Sequence, residues 1–278
     1  MISIIICSIS EERSDQLNLN ITDTIGKVDF EIIRIDNTVE KLSITKAYNR
    51  GAQLAKFSIL LFIHEDILFH TLEWGVKLIS ELKDESTGIV GVAGSSYTPL
   101  APIGYTNPIR KYNFHHLIQH TDKGTKFFSN IPSEHDQIIA LDGVFLGVRR
   151  DVFDKYEFND DLPGFHSYDL DISLRVSEHF KNSLTKEILI EHFSSGAPNE
   201  QFTRNNISIK RLLKIKNKIN DPLNEYSSYR VFIKELYTHD FNKNEIQKLS
   251  AEFRDITRFG LLNYFKSFYF TFREKLKH

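Results

Sequence analysis

Residues 58–66 read Ser-Ile-Leu-Leu-Phe-Ile-His-Glu-Asp, five large apolar side chains in succession and then an imidazole and two carboxyls. A run this short and this apolar is the pattern of a strand buried on both faces, as inside parallel sheets. The surrounding sequence repeats it. Ile2–Cys7 is almost continuous Ile and reads as another buried strand, Phe30–Ile35 as a further one stopping at Asp36-Asn37, and Gly88–Ala93 as a fourth. Between them lie helical patterns: a weak one from Glu11 to Ile25, one over Ser43–Lys56 with Ser43 as N-cap, and one over Thr71–Lys83 from the spacing of Leu72, Val76, Ile79 and Leu82. Strands alternating with helices predict βαβ units and a mostly parallel sheet in an α/β fold. In such sheets ligands bind beyond the carboxyl ends of the strands, which here carry Ser8, Asp36 and His64-Glu65-Asp66.

The 278 residues, 41% hydrophobic and 26% charged, exclude a disordered, collagen-like or coiled-coil chain. The single cysteine, Cys7, excludes an intrachain disulfide and any multi-cysteine metal site, and its apolar setting implies a buried, inert thiol in a reducing compartment. No stretch reaches the roughly 18 apolar residues of a membrane-spanning helix. Ile2–Ile9 lacks the basic lead and cleavage site of a signal peptide, so a soluble, cytoplasmic protein is expected. Charge is uneven: residues 200–278 carry 16 Lys/Arg against 9 Asp/Glu, and residues 1–199 carry 19 against 28. The shift, near Gly196–Asn206, predicts a domain over residues 1–200 and a basic helical extension over 201–278; two solvated faces of one domain would give the same asymmetry.

Residues 95–140 are punctuated by Gly, Pro, Tyr, Asn and His without lasting periodicity and read as a long functional or mobile loop. Order resumes with a strand over Leu141–Val148, containing Gly143 and Gly147. Tyr168-Asp169-Leu170-Asp171 opens a helix running to Phe180, and a short strand, Glu187–Ile190, ends at Glu191-His192-Phe193 before the polar turn Ser194-Ser195-Gly196.

Four features carry chemistry. Alternate residues at a strand end face the same way, so His64 and Asp66 can share a divalent cation while Glu65 points elsewhere. On spacing alone, a solvated strand end with Asp66 capping the next helix is the plainer account. Asp36 can accept hydrogen bonds from a nucleotide's base or ribose, or simply belong to a turn. No glycine-rich fingerprint follows the first strand and no phosphate loop occurs, so a dinucleotide site is not expected. Asp169 and Asp171, two apart on a helix, do not face each other; one can hold the helix N-terminus while the other serves as a general base. His192 alone reads as a packed histidine.

Taken in order, these pieces resemble the family-2-like glycosyltransferases of the GT-A fold. Ile2–Ser10 is similar to the family's first strand and Phe30–Asn37 to its second, with Asp36 at the nucleotide-binding aspartate. Lys46-Ala47-Tyr48-Asn49-Arg50-Gly51 resembles its Ala-Arg-Asn-x-Gly helix, and His64-Glu65-Asp66 stands at its Asp-x-Asp metal motif. Gly143–Phe153 resembles the stretch before the acceptor site, Tyr168–Arg175 the Glu-Asp-x-Asp-Leu-x-x-Arg motif of the catalytic base, and Glu191-His192-Phe193 the late histidine. The His-x-Asp variant and the Phe-His-Ser-Tyr-Asp-Leu-Asp run look most like the subgroup named after the streptomycin-biosynthesis protein StrF. The resemblance implies a hexosyltransferase-like enzyme of glycan or polysaccharide synthesis, working with inversion. It implies a nucleoside-diphosphate sugar held by Ser8, Asp36, Asn49, Glu65, Asp66 and Arg175, and Mn²⁺ or Mg²⁺ on Asp66, His64 and His192. It further implies Asp169 as the base at a glycan, lipid-linked or small-molecule acceptor hydroxyl, with residues 95–140 as lid. Two departures, His64 for an acid and Tyr168 for Glu, leave open a catalytically inactive sugar-nucleotide-binding or scaffold protein.

In the extension, Lys210, Arg211, Lys214, Lys216 and Lys218 crowd one stretch, and residues 254–278 hold six Lys/Arg, two Asp/Glu and seven aromatics. This composition suits either a peripheral contact with an anionic membrane or aromatics packed on the catalytic domain or a second subunit. Nucleic acid is not expected, because the N-terminal region is acidic and no recognised binding motif occurs.

Overall fold

The computed structural model describes residues 1–278 apart from 134, 135, 195, 197, 214–218, 240 and 278. The chain divides into two units, residues 1–96 with 114–196 and residues 97–113 with 197–278. Ser195, Lys214, Lys216 and Lys218, singled out above, lie outside the described residues. No helix among the described residues is long and apolar enough to cross a membrane.

The first unit runs β1 (Ile2–Ser8), α1 (Glu11–Thr24), β2 (Phe30–Asp36), α2 (Ile44–Leu54), β3 (Ile59–Ile63), β4 (Ile67–Phe69), α3 (Trp74–Glu81), β5 (Thr87–Gly91) and β6 (Ala93–Ser95). It continues with β7 (Asn113–Thr121), β8 (Gly124–Asn130), β9 (Ala140–Leu141), β10 (Phe145–Arg149), α4 (Arg150–Tyr156), α5 (Tyr168–Ser177), β11 (Lys181–Leu184) and β12 (Ile190–His192). One sheet has the order β11-β5-β10-β3-β1-β2, with β10 antiparallel to both its neighbours and the other pairings parallel. A second has the order β4-β12-β7-β6-β9, with β8 paired to β7. The mixed α/β architecture and the mostly parallel first sheet are as the alternating pattern predicts.

Side chains alternate across each strand, so Ile2, Ile4 and Ile6 join Leu61 and Ile63 on one face of the first sheet while Ile5, Leu60 and Phe62 occupy the other. Helices α1 and α3 close the first face with Leu17, Ile21, Trp74 and Leu78; α2, α4 and α5 close the second with Tyr48, Val152, Phe153 and Ile172. Serine caps hold both early helices, Ser10 accepting from the Arg13 amide and Ser43, as foreseen, from the Lys46 amide.

Three expectations are corrected. Residues 95–140 are not one loop: residues 97–113 belong to the second unit, and β7 and β8 form a hairpin in register from His115↔Asn130 to Thr121↔Gly124. Strand β8 is exposed along its whole length, so no apolar alternation marks it. The strand expected over Leu141–Val148 breaks at residues 142–144, which frees Asp142 and Gly143 from the sheet. After His64-Glu65-Asp66 the chain enters β4, so Asp66 does not cap a following helix.

The second unit holds α6 (Glu200–Leu212), α7 (Pro222–Thr238), α8 (Lys243–Glu252) and α9 (Ile256–Lys275). Its core gathers Tyr229, Phe232, Phe253, Phe259 and Phe270, and residues 97–113 contribute Ala101 and Ile103. Buried Glu225 accepts from the Tyr97 hydroxyl at 2.7 Å and the Leu100 amide at 2.8 Å. Lys210 is buried, donating to Thr98 Oγ1 and the Pro99 carbonyl at 2.7 Å, and Arg211 is paired with both carboxylate oxygens of Glu252.

Candidate active site

The triplet His64-Glu65-Asp66 sits where the chain leaves the first sheet and enters the second. Alternation splits it as anticipated. Glu65 turns inward, and one of its oxygens takes the amides of Ile9 and Ser10 at 3.1 Å each, fixing the turn after β1. His64 and Asp66 turn the other way. Strand β12 pairs antiparallel with β4, His192 opposite Ile67, and this brings in the third group. Glu191 anchors that strand by accepting from His70 at 2.8 Å and His120 at 2.6 Å. One ligand atom each from His64, Asp66 and His192 lie within 4.8 Å of one another, the one such cluster among the described residues.

The hydrogen bonds decide which imidazole nitrogens face that cluster. The Gly143 carbonyl can only accept, so the Tyr168 hydroxyl donates to it (3.1 Å) and takes a proton in turn from His64 Nε2 (2.8 Å). This leaves the Nδ1 lone pair of His64 toward Asp66 Oδ1, 3.9 Å away. The Gln119 amide nitrogen is held by the carbonyls of His120 and Ser194, so its oxygen accepts from His192 Nδ1 at 3.1 Å. The Nε2 lone pair of His192 then faces the same Asp66 oxygen at 3.6 Å, with the Ser194 hydroxyl 3.2 Å from that nitrogen. Burial and then the neighbouring His192 push His64 below the ordinary histidine value, favouring the neutral ring. Burial opposes ionisation of Asp66, but a proton on the facing His192 nitrogen, with Ser194 and His64 behind it, holds its carboxyl well below the usual range; a cation bound there would displace that proton and meet the lone pair instead. Two imidazoles and one carboxylate, each imidazole fixed by a partner on its far nitrogen, are a donor set that fits a divalent cation.

Tyr168 carries the site onward to Asp169. Asp169 Oδ2 accepts from the Gly143 amide at 2.9 Å and Oδ1 from the Leu170 amide at 2.8 Å. Burial first, and the charge of Asp142 second, push the Asp169 carboxyl up to about 7 against the pull of these amides. Asp142, which accepts from the Val144 amide at 2.9 Å, escaped the sequence reading because it lay inside a stretch read as continuous strand. Gln119 escaped it too, being in the segment read as loop. Gly143 is required here by space: a Cβ on it would lie 2.1 Å from the Tyr168 hydroxyl.

Other residues singled out in the sequence are placed differently. Asp36 lies at the carboxyl end of β2, opposite Ser8 in register and two strands from β3, about 10 Å at ordinary strand spacing. Its carboxylate is exposed, and Thr38, through hydroxyl and then amide, holds it below the usual range. Ser8 is buried, its hydroxyl donating to the Ser10 carbonyl. Asn49 pins the 158–160 turn, exchanging hydrogen bonds with the Phe158 backbone and reaching Asp160. Arg175 ties Asp171 to the carbonyls of Tyr156 and Glu157. These contacts of Ser8, Asn49 and Arg175 brace the local backbone around them. Cys7 is pushed up to about 11, chiefly by burial, an inert thiol as read from its setting.

Tyr168→Phe removes the acceptor that orients His64 while keeping the ring that packs against Tyr48 and Phe158. The expected result is a roughly 10- to 100-fold weaker Mn²⁺ affinity by calorimetric titration, with the melting temperature little changed. Equal affinity in the two proteins would show that Tyr168 does not orient His64.

A family profile described as "Glycosyltransferase like family" matches residues 3–196. No curated protein sequence matches. Among solved structures the chain is similar to that of GalNAc-T7 with UDP, GalNAc and Mn²⁺, at 11% identity and a TM-score of 0.57, covering 91% of this chain and 54% of that one. It therefore spans about half the length of that protein. TarS residues 1–349 of S. aureus, in complex with UDP-GlcNAc, gives 12% identity and a TM-score of 0.45 over 91% of this chain and 71% of that one. The mannosyltransferase PcManGT from Pyrobaculum calidifontis, with GDP-Man and Mn²⁺, gives 10% and 0.46 over 90% and 79%.

Proposed function

The chain belongs to the glycosyltransferase-like family and has the GT-A fold, and from that premise we propose that it moves a sugar from a nucleoside-diphosphate sugar to an acceptor hydroxyl. The observation that carries the reading is the continuous chain of contacts from Asp66 through His64, Tyr168 and Gly143 to Asp169. It sets a cation-binding group beside a carboxylate poised near neutrality. The UDP and Mn²⁺ in the GalNAc-T7 structure support it.

Asp66, His64 and His192 would hold the cation, and their mixed nitrogen and oxygen donors favour Mn²⁺ over Mg²⁺. When bound, the cation supplies Lewis-acid neutralisation of charge on the departing diphosphate. Asp36 and the turn fixed by Glu65 face the nucleoside. Asp169 takes the proton of the acceptor hydroxyl as its oxygen bonds to the anomeric carbon; the bond from that carbon to the diphosphate oxygen breaks, and the nucleoside diphosphate leaves with the electron pair. A single base at the acceptor fits direct displacement with inversion. The His64-x-Asp66 pair and the run 165–171 support placement near the StrF-type subgroup, and with it a role in glycan or polysaccharide synthesis.

The test is a melting-temperature screen of the full chain against UDP, GDP and their sugar derivatives, with and without Mn²⁺. A cognate nucleotide at about a hundred times its Kd should raise Tm by roughly 5–10 °C, and only with the cation. No shift from any of them would overturn the reading. Release of free nucleoside diphosphate from the sugar nucleotide that binds would support the enzyme; binding without turnover would support the inactive sugar-nucleotide-binding protein.

A further inference from the structure

Helix α9 turns sharply at Gly260, whose φ of 70° is left-handed, and runs on from there to Lys275. One side is occupied: Phe259, Ser267, Phe270 and Glu274 are buried, and α7 packs alongside. The other side is apolar and open. Leu261, Leu262, Phe265, Phe268, Tyr269 and Phe272 are each at least 45% exposed. At 3.6 residues per turn these six fall within one unbroken arc of about 120°. Isolated exposed apolar residues are ordinary on a protein surface; a contiguous patch of this kind marks a contact.

The charges around the arc identify its occupant. Lys266 and Arg273 border one edge of the arc and Lys275 the other, while Lys277 follows the last turn. The one acid between residues 261 and 277 is Glu274, buried and paired with Arg273 and Lys277. Arg254 adds a further guanidinium 3.9 Å over the Phe268 ring. We propose that this face docks α9 on an anionic lipid surface, its aromatic and leucine side chains entering the headgroup boundary and its bordering cations meeting acidic headgroups. A second copy of the chain is a poorer occupant, since any pairing of two such faces sets cationic edge against cationic edge. A plane of anionic headgroups accepts both edges together.

The experiment is flotation of the full chain with phosphatidylcholine vesicles, with and without about 30% phosphatidylglycerol, at low and high salt. Binding is expected on the anionic vesicles, and it should fall at least roughly tenfold in Phe265→Ser/Tyr269→Ser/Phe272→Ser and several-fold in Lys266→Glu/Lys275→Glu. These side chains are exposed, so Tm and nucleotide binding should stay at wild-type values and separate lost docking from lost folding. Equal flotation of wild type and the aromatic variant would overturn the proposal. So would absence from both vesicle types together with a dimer, seen by light scattering, that the aromatic substitutions dissolve.

Discussion

Asp169→Asn is expected to reduce sugar transfer about 10³-fold while leaving the Kd for the nucleoside diphosphate within a factor of about two, as titration calorimetry beside a product-release assay would show. The substitution removes the proton acceptance proposed for Asp169 at the acceptor hydroxyl and touches none of the groups proposed to hold the diphosphate. The wild-type pH profile should agree. With the Asp169 carboxyl at about 7, kcat/KM rises with pH up to that value and levels off above it, because only the ionised form is a base. Asp142→Asn deletes the neighbouring negative charge and should move that limb to lower pH. Stability runs the opposite way. A buried carboxyl that holds its proton more tightly folded than unfolded loses the fold stability as pH rises from about 4 to about 7. The uncharged amide introduced by Asp169→Asn carries no such penalty, so the variant's Tm should gain on wild type by a few degrees across that interval. Transfer at near the wild-type rate would remove Asp169 from its assigned role.

Asp66→Ala is expected to weaken Mn²⁺ binding about 100-fold or more and to abolish the cation-dependent part of nucleoside diphosphate binding. Asp66 supplies the only carboxylate of the three donors, and its oxygen is the point both imidazole lone pairs face. His192→Ala should have a smaller effect of the same sign, since His64 and Asp66 remain. Unchanged Mn²⁺ titrations in Asp66→Ala would show that the cluster is not a metal site.

How much of this was legible follows from what each residue's signal depends on. The buried strands β1 and β3 announce themselves because burial on both faces forces unbroken apolar runs, and those runs point to the polar groups at their ends. The divergence of Glu65 from its two neighbours needs only the alternation of a strand end. The hairpin β7–β8 left no such mark: β8 buries nothing, so its pairing is written in backbone hydrogen bonds that any sequence can make. Gln119 and Asp142 are polar residues in stretches read for other reasons, and their significance arises from sheet register and from the break after Leu141. Asn49 and Arg175 show the converse. They sit in the patterns that the family resemblance rests on, and their hydrogen bonds to the 156–158 backbone are a further use that spacing alone does not reveal.

The close approach of Gly143 to Tyr168 also limits how this chain can diverge. Any side chain at 143 must push aside the hydroxyl that His64 leans on, so even the smallest replacement there would be tolerated only alongside a shorter residue at 168. The two positions are therefore bound to change as a pair. A chain that exchanged both would have to find His64 another hydrogen-bond acceptor before it could keep the same imidazole nitrogen turned toward Asp66.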